Sequence, residues 1–97
     1  MIIIKLQEQI GSFAENKDIA RDIRLKVLLP ALEKGEEITL DFGGIDSATQ
    51  SFVHALISDL IRKHGVDVIG RISFKSCNEV VRKIITIVID YMQESGN

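Results

Sequence analysis

The segment Asp41-Phe-Gly-Gly-Ile-Asp-Ser-Ala-Thr-Gln-Ser-Phe52 concentrates the groups that can do chemistry. It holds the hydroxyls Ser47, Thr49 and Ser51, the carboxylates Asp41 and Asp46, and the pair Gly43–Gly44. A hydroxyl at a helix start has an ordinary task, which is to accept a hydrogen bond from one of the first backbone N–H groups. Ser47 or Thr49 suffices for that, and Ser47 with Gln50 has the spacing of a capping box. Ser51 is left over. At about 100° per residue it shares a helix face with Ser58 and Arg62, away from Phe52, Leu56 and Leu60. A phosphate on Ser51 would meet the positive end of the helix dipole and unpaired N–H groups. Ser51 is therefore a candidate phosphoacceptor or partner contact, with Ser47 and Thr49 as caps or assistants. Gly43, Gly44, Asp46, Ser58 and Arg62 complete a candidate partner surface.

Other chemistry is poorly supported. Gly43–Gly44 would let a backbone approach a phosphate, but neither G-x-x-x-x-G-K-[ST] nor G-x-G-x-x-G is present, so a plain turn is the better reading. Asp41 and Asp46 flank flexible residues and have no fixed geometry for acid–base work. His54 and His64 are isolated, and no metal or cofactor is expected. Cys77 falls at a helix start, where a thiol pKa can drop, but the sequence offers it no base partner. No catalytic constellation is recognisable, and the protein is read as a non-enzyme.

The elements that position these residues alternate. Ile2, Ile3 and Ile4 form a β-branched run that, with Leu6, reads as a buried strand ending at Gly11–Ser12, with residues 11–15 as a loop. Asn16 is a good N-cap for a helix running to about Lys34, with Gly35 as its closing glycine. Pro30 removes one donor and clashes with the carbonyl of Lys26, so a kink or break is expected there. Ile38, Leu40 and Phe42 form a short strand. The helix that follows buries Phe52, Val53, Leu56, Ile57, Leu60 and Ile61 and closes at His64–Gly65. A third strand spans roughly residues 69–74. Ser76 and Glu79 have capping-box spacing for a last helix from about Cys77 to Gln93, with a frayed tail over 94–97. The order is β-α-β-α-β-α, a small α/β domain with a mainly parallel sheet packed by three helices. Sites in such sheets favour loops after the strand ends, here those after Phe42 and Phe74.

Composition bounds the rest. At 97 residues the chain is one domain, with its core over about 2–93. A single cysteine excludes an internal disulfide framework. A net charge of −2, from 12 basic and 14 acidic residues, gives no field for nucleic acid. No apolar run approaches the roughly 18 residues of a membrane span. A reduced, soluble, cytoplasmic protein is expected. The last helix has an apolar arc of about 200°, where roughly 100° covers a sheet. The surplus implies a second contact, with another helix of the chain or with a second subunit as a homodimer.

The segment Ile38–Leu56 resembles the STAS-like families of unknown function, in which Leu-Asp-Phe ends a strand and a Ser-Phe pair opens the next helix. Here these are Leu40-Asp41-Phe42 and Ser51-Phe52. The likeness extends more loosely over about residues 2–92. Those families are related to the STAS domains of sulphate transporters and anti-sigma factor antagonists. In the antagonists, a serine at this helix start is phosphorylated by a kinase with a histidine-kinase-like ATPase fold, which switches partner binding. The resemblance puts Ser51 at the phosphoacceptor position. Thr49 stands where the antagonists carry an aspartate, and Phe52, expected to pack inward, where they carry a glycine. It implies a regulatory protein-interaction module working through residues 43–51, beside such an ATPase or an anti-sigma-type regulator. The alternatives are a small-ligand binder or enzyme using the same loop, and a structural homo-oligomer held by the final helix.

Overall fold

The structure, a computed structural model, describes residues 1–95. In chain order the elements are β1 (Ile2–Lys5), α1 (Gln7–Ile10), β2 (Phe13–Ala14), α2 (Lys17–Ile23), a π-helical turn (Arg24–Leu28), α3 (Leu29–Glu33), β3 (Ile38–Asp41), β4 (Ser47–Ala48), α4 (Gln50–His64), a 3₁₀ segment (Val66–Arg71), β5 (Ile72–Lys75) and α5 (Glu79–Ser95). The main sheet is parallel throughout, in the order β1-β3-β5, and rows such as Ile4–Leu40–Phe74 run straight across it. An order that steps in one direction, with right-handed crossovers, puts the connecting helices on one face. There α4 packs between α2 and α5. Ile4, Ile38, Leu40 and Ile72 are buried toward the helices, while Ile3, Lys5, Ser73 and Lys75 alternate onto the opposite face, where they are exposed and Thr39 of the central strand is buried.

The helix from Asn16 forms as its sequence requires. The Asn16 side chain accepts from the N–H groups of Asp18 and Ile19 at 2.9 and 3.2 Å. Pro30 neither breaks the helix nor stops it. The turn before the proline widens to π geometry over Arg24–Leu28, which accommodates a residue with no N–H to donate. Gly35, at φ +80°, then closes α3, with the N–H groups of Gly35 and Glu36 donating to Leu32 and Ala31.

Several boundaries differ from expectation. The first strand stops at Lys5. Gln7-Glu-Gln lacks β-branched residues and folds as α1, closed by Gly11 at φ +72°. Residues 11–15 are not all loop, because Phe13–Ala14 pairs in parallel with Ser47–Ala48 as a second, two-stranded sheet. The third main strand begins at Ile72, not at residue 69, since Val66–Arg71 coils into the 3₁₀ segment. The Arg71 guanidinium donates to the carbonyls of Leu32 and Glu36 at 2.9 and 3.1 Å, a cation on the C-terminal end of α3. The last helix, α5, runs through Ser95, with Met92 buried in its last turns. Residues 96 and 97 lie outside the described residues.

Candidate functional site

The segment after β3 is held from several directions. The Asp41 carboxylate accepts from the Gly43 N–H at 2.8 Å, and the Ile45 N–H donates to the Phe42 carbonyl at 3.0 Å. Gly44 has φ +81°, and a Cβ on it would stand 3.0 Å from the Gln7 side chain. Only glycine meets both conditions without strain. The Asp46 N–H donates to the Ser12 carbonyl at 2.7 Å and the Thr49 N–H to the Ala14 carbonyl at 2.9 Å. Asn78 closes the frame from the far end of the chain. Its amide donates to the carbonyls of Ile45 and Asp46 at 3.3 and 2.9 Å, while its oxygen accepts from the Val81 N–H at 2.8 Å. One side chain thus caps α5 and pins the loop.

The hydroxyls divide their tasks. Thr49 is the N-cap of α4, its Oγ1 accepting from the Phe52 N–H at 3.0 Å. Ser47 is not a cap, because it lies in β4 opposite Phe13, half-buried. Ser51 is exposed in the first turn, and the next residue, Phe52, is fully buried. Gly43, Gly44 and Asp46 are also exposed. Ser58 is not: at 2% exposure it belongs to no accessible surface. Its arc is clear of the sheet but not of the neighbouring helices, since α4 is flanked on both sides. Arg24 reaches across to the Ala55 carbonyl at 2.7 Å and the Asp59 carboxylate at 3.3 Å. Arg62 is exposed and bonded to the other oxygen of Asp59 at 2.8 Å.

Ser51 opens onto a groove of about 500 Å³ between α4, the start of α2 and the C-terminal half of α5. Lys17, Gln50, His54, Ile87 and Tyr91 line it with Ser51. The remaining candidates behave differently from expectation. The residue capping α5 is Asn78, not Ser76, whose φ of +59° takes it out of the helix. Cys77 therefore precedes the helix. Its thiol pKa is pushed up by burial, with Arg82 opposing and Asp41 adding to the rise. Among the described residues, no group of three or more His, Cys, Asp or Glu side chains is placed to hold a metal, and no helix is long and apolar enough to cross a membrane. Asn78 and Arg24 are the site residues that sequence reasoning missed. Asn78 carries the same signal as Asn16, an N-cap residue just before an apolar-periodic run.

A parallel sheet with its helices on one face and a pinned strand-end loop feeding a capped helix defines a small α/β domain of the STAS-like kind. Residues 20–82, well over half the chain, match the STAS-like domain of unknown function (DUF4325), and the chain belongs to that family. The match includes the whole loop and α4 and ends at Arg82, within the first turn of α5. No curated protein and no solved structure matches the chain.

Proposed function

We propose that this domain is a cytoplasmic regulatory module that docks a protein partner through the exposed parts of residues 43–51, with Ser51 as the contact or phosphoacceptor. The observation that carries this reading is the division of labour among the hydroxyls. Thr49 is committed to the cap and Ser47 to a strand, which leaves Ser51 exposed beside a loop held rigid by its hydrogen bonds. A docking surface that is already ordered loses little conformational entropy on binding. The partner class is a histidine-kinase-like ATPase or an anti-sigma-type regulator. Such a kinase would transfer the γ-phosphoryl of ATP to the Ser51 oxygen, releasing ADP and passing the hydroxyl proton to the kinase's own base. The phosphate adds about −1.5 to −2 charge at the surface and weakens docking by repulsion and desolvation.

The test is incubation with ATP and histidine-kinase-like ATPases of the same cell, followed by mapping of the modified residue and measurement of complex formation. Phosphate on Ser51, and at least tenfold weaker binding by Ser51→Glu than by Ser51→Ala, is the expected result. Modification at none of the three hydroxyls, with partner binding indifferent to Ser51→Glu, sinks the phospho-switch. The groove favours a second reading, a small-ligand site using Ser51, His54 and Lys17. Ligand-induced shifts of the His54 ring signals, in the absence of any protein partner, would favour it.

A further inference from the structure

The surplus apolar surface of the last helix is real and has a defined shape. Val80, Ile87 and Tyr91 are 51%, 47% and 59% exposed, and Ile84 is half-buried. Their spacing of four, three and four residues draws one stripe along α5, on the shoulder of the face that buries Val81, Ile85, Val88 and Met92. Exposed Glu94 continues the stripe one step on and ends its apolar character. Along the outer edge of the stripe, one heptad apart, stand exposed Lys83 and Asp90.

We propose that this stripe is a homodimer interface in which the α5 helices of two copies pack antiparallel about a two-fold axis between Ile85 and Thr86. The spacing is self-complementary about that point: Val80 meets Tyr91 of the partner copy, and Ile84 meets Ile87 of the partner copy. The two-fold produces each contact twice, as an isologous interface requires. The charges select the direction. In an antiparallel pair, flanking positions on the same edge of the seam face one another, so each Lys83 lies beside Asp90 of the partner copy. Lys83 also stands 3.8 Å from Glu79 of its own helix; a parallel pair would set it beside the buried Val81 and Val88 of the partner copy and leave Asp90 with no cation across the seam. The charge pattern thus names a second copy of this chain as the occupant. Ile87 and Tyr91 also line the groove that holds Ser51 and His54, so those two residues fall at the rim of the dimer face. The inference does not depend on partner docking through residues 43–51.

Sedimentation velocity on the full chain from about 5 to 500 μM tests it. The expected result is a concentration-dependent dimer. Ile87→Lys should be monomeric throughout, with an unchanged helical circular dichroism spectrum. Lys83→Asp and Asp90→Lys place like charges together at both symmetry-related contacts, and each should weaken the dimer about tenfold, most strongly at low salt. The double variant, Lys83→Asp with Asp90→Lys, should restore the wild-type dissociation constant to within about threefold. A wild-type chain that stays monomeric at 500 μM overturns the proposal. So does a double variant as weak as either single one, since the two charges then do not face each other.

Discussion

The loop Phe42–Thr49 and the outer stripe of α5 are both accessible, and they are built on opposite principles. The loop is polar and glycine-bearing, and its backbone is tied to Ser12, Ala14, Phe42 and Asn78, so each of its exposed residues holds a set position. The stripe is apolar and needs no tie of its own, because a helix satisfies its backbone internally. Burial of the other face of α5 sets where the stripe points. A loop of the first kind can present a hydroxyl with defined geometry, whereas a face of the second kind gains most from being covered by another apolar surface. The family match contains the loop and stops before most of the stripe.

The contrast is broken most severely at Asn78. Asn78→Ala removes the α5 cap and the donor to two loop carbonyls together. It should cost about 2–3 kcal/mol by urea denaturation, against about 0.5 kcal/mol or less for Ile87→Ala on the stripe. Equal losses would mean that the loop is not pinned from α5. Gly44→Ala comes next, with an expected loss of about 1–2 kcal/mol from the positive φ. Most of that loss should persist in a Gln7→Ala background. Full rescue by Gln7→Ala would show that crowding, not backbone conformation, demands the glycine.

The smallest effect concerns Cys77, at the junction of the two regions. Its thiol is held neutral by burial, so its rate of alkylation should rise with pH at a midpoint above that of an unburied cysteine. Asp41→Asn should lower that midpoint and Arg82→Gln should raise it. The sign for stability follows. A pKa raised on folding means that the contribution of the neutral thiol is complete below the unfolded pKa and is lost as pH rises through the folded one. A midpoint at or below that of the free thiol would place Cys77 in a reactive surface rather than a packed one.

The alternation of strands and helices, the Asn16 cap, the Gly35 and Gly65 stops and the inward stripe of α4 were all legible, because each rests on residues within one or two turns of each other. Ser58 shows where such reasoning ends. A helical wheel built for one neighbour, the sheet, exposes Ser58, yet in a helix flanked on both sides it is 2% exposed. Pro30 shows another limit. The rule that forbids its hydrogen bond is local, but whether the helix breaks or widens depends on what holds the next turn, here the buried Ala31 and Leu32. The role of Asn78 at α5 is readable from its place just before an apolar-periodic run. Its bond to a loop some 30 residues earlier in the chain was not readable at all.

Local physics was enough to make this chain one α/β domain, to gather three hydroxyls between a strand end and the next helix, and to load its last helix with more apolar surface than a sheet can cover. Those outcomes depend on side-chain type and on periods of two and 3.6 residues, which a linear chain displays directly. Tertiary structure decided which hydroxyl is the cap, which is in a strand and which faces solvent. It also decided which part of the apolar surplus remains uncovered. These depend on contacts between segments far apart in the chain, β4 with β2, Asn78 with the loop, α4 with helices on both sides. Their geometry exists only once the sheet order β1-β3-β5 has brought the elements together.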